Sequence, residues 1–306
     1  MLQYILRRIF GIIPVGLGIV IIVSMLIHAV PGDPVDSILG PYATLEEKEE
    51  LRHSLGLDTP LLTQTKNYIF NITQGSLGES LIYNKPVTQM IGERIRPTVE
   101  LAIASLIVAI VISIPLGVIS AIKANTIIDF GAMGFALAGV AIPNFWLGPM
   151  LVLLFSVYLG WLPVSERGSW QTYILPAITM GTALAAALSR MTRNSMLDEF
   201  NQDFVRTARS KGVLEYKIIM KHVFRNAALP LVTVVGLQFG VLLTGAIITE
   251  KIFDWPGLGS LILEGINNRD YPVVQGCVLF FSCSYLIVNL LTDIAYAFVD
   301  PRIKPE

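Results

Sequence analysis

Polar residues are spaced along this chain so as to leave six apolar runs free of Asp, Glu, Lys and Arg: Ile9 to Val30, Leu101 to Ile122, Phe130 to Leu162, Trp170 to Ser189, Asn226 to Thr249 and Tyr271 to Thr292. A spanning helix needs about 20 consecutive predominantly apolar residues, so each run is long enough to cross a bilayer. The pattern predicts an all-α integral membrane protein with six transmembrane helices. Pro143 interrupts the third run, yet either half alone is too short to span. We therefore read one long helix, tilted or kinked where Pro143 removes a backbone hydrogen bond and bent further at Gly148 and Pro149. Arg7 and Arg8 precede the first run as in a signal peptide. Its 22 residues exceed a signal core of roughly 7 to 15, and no small-x-small cleavage site follows, so a retained first span is expected.

The stretch from Pro31 to Glu100 is the only sizeable polar piece. Leu45 to Leu55 and Pro60 to Ile72 read as helices, while Gly75 to Ser80 and Asn84 to Pro86 read as turns. A small helical external segment is expected, packed on the bundle or touching cargo. The organisation predicted is residues 1–96, the first span plus this segment, and residues 97–306, a five-helix transmembrane core.

Composition narrows the class and the charges orient it. With 53% hydrophobic and 15% charged residues and a mean hydropathy of +0.64, a soluble protein is excluded. Lys and Arg are retained on the cytoplasmic side of membrane proteins. Placing both termini, the Lys123 loop and the loop between spans four and five there gives the cytoplasm thirteen of the 22 bases. The segment from Pro31 to Glu100 carries ten acids against six bases and faces out. With a net charge of −1, no nucleic-acid partner is expected.

Catalytic chemistry is absent from the pattern. Cys277 and Cys283 lie in one apolar run, and His28, His53 and His222 are far apart, so no metal site is expected. No phosphate-binding loop occurs, and Gly-Lys is found nowhere in the chain. ATP is not expected to bind this chain by that route, and no cofactor is assigned to it.

The most informative segment is the polar one between Asp203 and Thr233. Phe204 to Lys211 forms a short helix in this reading, with Val205 and Ala208 on one side and Arg206, Arg209 and Lys211 elsewhere. Gly212 turns the chain, because glycine reaches positive φ without steric cost. Leu214 to Phe224 is a second amphipathic stretch, ahead of Pro230 just inside the fifth span. These residues by themselves leave two readings open, a helix docked on a protein partner and a helix lying on lipid headgroups.

Asp203-Phe204-Val205-Arg206-Thr207-Ala208-Arg209-Ser210-Lys211-Gly212, followed by Arg225-Asn226-Ala227 and Leu229-Pro230, resembles the coupling loop of ABC importer permeases, in particular the dipeptide, oligopeptide and nickel branch. Arg206 stands where the common pattern has Glu, and seventeen residues separate Gly212 from Pro230, more than in the common form. Both departures are typical of the peptide branch. Pro31-Gly32-Asp33-Pro34, Leu55-Gly56-Leu57-Asp58, Ile142-Pro143-Asn144-Phe145-Trp146, Trp255-Pro256-Gly257-Leu258-Gly259, Arg269-Asp270-Tyr271-Pro272-Val273 and Asp300-Pro301-Arg302 extend the resemblance along the whole chain.

The resemblance implies the type I permease fold, in the bacterial inner membrane with both termini cytoplasmic. It implies a complex with a second permease subunit, two ABC ATPases that bind ATP and Mg, and an external solute-binding protein. The chain itself would be a non-catalytic permease subunit. Asp203, Arg206, Thr207, Ala208, Lys211, Gly212 and Glu215, within the loop 203–230, are implied to meet the ATPases. Di- or oligopeptide is the expected cargo, with glutathione and nickel or metal chelates as alternatives.

Asn144, Trp146 and Glu250 are pathway candidates; the alternatives are kink solvation for Asn144, packing for Trp146 and an interfacial place for Glu250. Trp255, Pro256, Gly257 and Gly259 read as an external re-entrant turn, or as a simple loop. Asp293 near the end of the last span reads as hydrated at the interface. An ion-driven secondary transporter would carry charges within its spans, and these spans have none.

Overall fold

The computed structural model describes residues 2–29, 33–40, 42–164 and 167–299. Pro31, Gly32 and the Asp300-Pro301-Arg302 motif lie outside the described residues, as does the side chain of Asp293. The described chain is all-α and has no strand, only an isolated bridge between Glu79 and Pro86. Its helices are α1 (Leu2–Ala29), α2 (Pro34–Leu39), α3 (Leu45–Ser54), α4 (Leu61–Thr73), α5 (Val87–Ile122), α6 (Ile127–Ala141), α7 (Asn144–Leu151), α8 (Ile174–Phe200), α9 (Asp203–Ser210), α10 (Glu215–Lys217), α11 (Phe224–Gly245), α12 (Ile247–Ile252), α13 (Leu258–Asn267) and α14 (Tyr271–Val299).

Among the described residues four helical stretches are long and apolar enough to cross a membrane: Val87–Ile122, Trp170–Phe200, Glu215–Thr244 and Tyr271–Thr292. The third apolar run differs from the single kinked helix expected for it. α6 and the stretch from Asn144 to Tyr158 meet at 100°, far beyond a kink, and form a broken span or a re-entrant loop. The cause is local. A residue before proline is driven out of the α region, and Ile142 is extended at φ −90°, ψ 115°. Pro143, itself extended, then precedes a new helix. Counting this pair as one span gives five. A sixth span rests on α1, which is helical over 28 residues and apolar from Ile13 to Met25.

The chain divides into two compact units. One comprises residues 1–98 and 256–287. Its polar segment after α1 starts with a capped helix: Asp33 accepts from the Val35 N–H at 3.0 Å, with Pro34 in the first turn. Thr44 and Glu47 close a capping box at the start of α3. Hydrogen bonds from the Thr44 N–H and hydroxyl hold the Glu47 carboxyl below its usual pKa. Lys48, at 2.8 Å, does the same to Asp36.

Several residues of the resembling motifs are joints in this unit. Asp33 pairs with Arg52 and offers its carbonyl to Arg269 at 3.2 Å. Asp270, buried, accepts from the Ser80 hydroxyl and, at 3.2 Å, from the Leu81 N–H. A Cβ on Gly276 would sit 2.5 Å from Val87 Cγ1, so the Val87 side chain at the start of α5 packs directly on the α14 backbone.

The other unit comprises residues 99–255 and 288–306. α8 is its centre: 61% of its apolar window is enclosed, against 22–39% for the other long helices. Leu101, Met180, Leu184, Leu188, Leu242 and Trp255 form the core around it. Small residues let α5 and α8 meet at backbone distance. A Cβ on Gly117 would lie 2.5 Å from Thr192 Cβ, and one on Gly181 would lie 2.7 Å from the Ser105 carbonyl. Asp129 at the start of α6 is buried and receives a bidentate grip from Arg193 of α8, at 2.7 and 2.6 Å, together with the Ser120 hydroxyl and the Asn125 N–H. That network fixes the α5–α6 turn to the C-terminal half of α8.

Candidate functional site

Val205, fully buried, roots the polar segment after α8. It packs with Ala121, Met196, Ile218, Val223 and Ala227 in a cluster joining the ends of α5 and α8 to the start of the fifth span. One buried residue from a two-turn helix leaves its other faces open. Asp203, Arg206, Thr207, Arg209, Ser210 and Lys211 are all exposed, and Ala208 is half-buried.

α9 ends in a Schellman motif. The Gly212 N–H donates to the Arg209 carbonyl at 3.0 Å and the Val213 N–H donates to the Ala208 carbonyl at 3.2 Å, with Gly212 at φ +71°. Arg209 then reaches across the turn to Glu215, with Nη2 to Oε1 at 2.6 Å and Nε to Oε2 at 3.3 Å. Hydrogen bonding to Glu215 raises the Arg209 pKa above its ordinary value. The turn is thus closed twice, by backbone and by a fork of charges.

The second amphipathic stretch is not a separate helix. α10 runs through a π-helical turn, Ile218–Val223, into α11, so the fifth span starts at Glu215. Buried Ile218 and Val223 on that turn explain the continuity. Leu214 precedes the helix and is exposed beside Tyr216, at 67% and 73%. Helical spacing sets Leu214 on one apolar face with Ile218, yet Ile218 is buried and Leu214 is not, and the spacing gives no sign of Tyr216. The resulting surface is a knob with a basic helix, a closed turn and two outward apolar side chains.

The pathway candidates separate. Asn144 is half-buried and lines a cavity of about 240 Å³ with Met180, Ala183, Ala187 and Gln238. Trp146 is half exposed and does not line that cavity. Glu250 is completely buried in α12. Asp254, at φ +47°, turns the chain so that the Trp255 N–H donates to the Glu250 carbonyl at 2.8 Å. Trp255 is buried edge-on against Tyr173, with ring centroids 4.8 Å apart. In its own unit, Gly257 precedes α13, Gly259 is buried, and the Leu258 N–H donates to Thr98 Oγ1 at 2.8 Å, while Pro256 is half-buried. Among the described residues no cluster of three or more His, Cys, Asp or Glu is placed to hold a metal, and Cys277 and Cys283 are free.

Comparison with known proteins places this architecture. Residues 113–305 match the family model "Binding-protein-dependent transport system inner membrane component", and residues 1–102 match the model for the N-terminal part of such membrane components. The chain is 44% identical over 304 residues, 99% of each chain, to the glutathione transport system permease protein GsiC of Escherichia coli O6:H1. It is 43% identical, over the same shares, to the protein of that name from Salmonella typhi. The fold is similar to a chain of the inward-facing MetNI methionine ABC transporter, with a TM-score of 0.57 at 16% identity, covering 69% of this chain and 97% of that one. An amino acid ABC transporter solved with histidines gives 0.52 at 12% identity, covering 71% and 95%.

Proposed function

We propose that this chain, which belongs to the inner membrane components of binding-protein-dependent transport systems, carries short peptides of the glutathione type and takes its driving motion through the knob at Asp203 to Glu215. It is a permease subunit of an ABC importer, a multi-pass inner membrane protein of a class that works with ATPases, a solute-binding protein and a second permease.

The cargo reading rests on one observation, the 44% identity sustained over 99% of the chain to permeases named for glutathione transport. Glutathione is itself a tripeptide, so this refines the peptide reading. ATP hydrolysis belongs to the partners in this reading, since the chain has no phosphate-binding loop. The bases of α9 and its cap, Arg206, Arg209 and Lys211, then face the cytoplasm together with both termini.

The mechanics follow from the knob's construction. Closure of two ATPases moves whatever is seated in their grooves, and a useful lever must not bend at its own joint. The Schellman turn at Gly212 and the Arg209–Glu215 bridge stiffen that joint. Val205, Met196 and Ile218 root it on α8 and the fifth span, so a push on α9 tilts both helices. The test is uptake into proteoliposomes holding the complete importer. Labelled glutathione and short peptides should accumulate only with ATP and binding protein. Uptake of nickel chelates in place of peptides would replace the cargo reading.

A further inference from the structure

α8 is the most enclosed long helix of its unit, and what it leaves open is ordered. Ala187, Arg190 and Asn194 are exposed on it and Ala183 is half-buried. Their spacing of four, three and four residues places them on one face. Two cavities lie along that stripe. The first, about 240 Å³, holds Ala183 and Ala187 with the side-chain amides of Asn144 and Gln238. The second, about 310 Å³, holds Arg190, Arg193 and Asn194 against Met133, Ala136 and Leu137.

Polar groups facing lipid without partners are costly, so those found at membrane depth face water or a bundle interior. Neither Asn144 nor Gln238 has a side-chain hydrogen bond among the described residues. The two guanidiniums differ in the same way. Arg193 is neutralised by Asp129 at 2.6 Å, while Arg190 has no acidic partner among the described residues. α8 carries no acid until Asp198, so the second cavity presents one uncompensated positive charge.

We propose that this stripe lines the translocation pathway, and that Arg190 binds the carboxylate of the peptide after it has passed the Asn144 and Gln238 amides. The proposal rests on the peptide reading above. Amides pair with peptide groups whatever the side chains, while a guanidinium matches the carboxylate that every short peptide with a free C-terminus carries. Along α8, Arg190 lies about 15 Å before Phe200, at 1.5 Å per residue, near the inner end of the span.

The experiment uses the complete importer in proteoliposomes without nucleotide, with Cys277 and Cys283 replaced by Ala. A single cysteine is placed at Ala187, or at the exposed Val111, on another helix and lining neither cavity, as a control. Membrane-impermeant thiosulfonates should modify Ala187→Cys and spare Val111→Cys. The anionic reagent should react about fivefold faster than the cationic one. Arg190→Gln should abolish that preference and Arg190→Lys should retain it. A short peptide with a free carboxylate should protect Ala187→Cys about tenfold better than its carboxamide, and the difference should vanish in Arg190→Gln.

An unreactive Ala187→Cys, a preference unchanged by Arg190→Gln, or equal protection by both peptides overturns the proposal. So does a preference that follows the vesicles' anionic lipid content instead of Arg190. The reagent arm needs no substrate, so a wild-type importer that takes up no peptide counts against the cargo reading separately.

Discussion

Gly212→Val tests the lever most sharply, because its cost is confined to the backbone. Gly212 sits at φ +71° and a Cβ there meets nothing within 4 Å, so no packing is lost and no clash is created. What remains is the steric penalty of the left-handed region, about 1–2 kcal/mol for an L residue and more for a β-branched one. Against a typical domain stability of about 5–15 kcal/mol this leaves the protein folded. Against the single equilibrium that holds α9 in its Schellman turn it is a shift of roughly 5–30-fold. Insertion, assembly and thermal stability should therefore stay near wild type. The yield of transported peptide per ATP should fall by about tenfold. Gly212→Asn, which tolerates positive φ, should recover most of it. The assay is paired uptake and phosphate release in proteoliposomes. Wild-type coupling in Gly212→Val would refute the lever.

Removing the Arg209–Glu215 bridge by Glu215→Gln should leave detergent thermal stability unchanged, because an exposed pair contributes less than about 1 kcal/mol, yet should lower coupling as Gly212→Val does. Asp129→Asn should destabilise the protein by about 3 kcal/mol, read as a fall in the detergent melting temperature, because it leaves Arg193 half-enclosed without its counter-charge. Replacing Asp129 and Arg193 together by Asn and Leu should restore most of the loss. Gly117→Leu should cost about 1–3 kcal/mol or more, also as a lower melting temperature, since even a Cβ would overlap Thr192. The Glu47 carboxyl has a lowered folded pKa, so its contribution to α3 is present at neutral pH and lost as pH falls through that value. Hydrogen exchange of α3 amides should speed up on acidification in the wild type and be pH-insensitive, beyond the intrinsic rate, in Glu47→Gln.

The legibility of this fold was uneven for physical reasons. Charge-free runs announce spans because hydropathy is a local property, and Gly212 announced its turn because it follows a basic two-turn helix directly. The 100° break at Ile142–Pro143 was not legible. A proline in an apolar run fits a kink or a break equally, and the choice rests on distant partners such as Ile252 and Phe253 around Gly148. Leu214 to Phe224 reads as a second amphipathic stretch apart from the fifth span, although burial of Ile218 and Val223 welds it to that span. At the site, the basic residues of α9 stood out, while Tyr216, Arg190 and Gln238 did not. Which face of an apolar helix stays open is set by its neighbours, and the Asp129–Arg193 pair spans 64 residues. The signal for Arg190 was available only as a base with no acid near it on its own helix.

Purifying the tagged chain from mild detergent, as wild type and as Arg206→Glu/Lys211→Glu, and identifying what accompanies each bears on the whole mechanism. The wild type should bring a second permease and phosphate-loop ATPases. The variant should keep the permease and lose the ATPases, since both changed side chains lie on the exposed face of α9 and its cap. ATPases retained at wild-type stoichiometry would remove the knob from the mechanism, and a chain that purifies alone in both forms would contradict the coupling to ATP altogether.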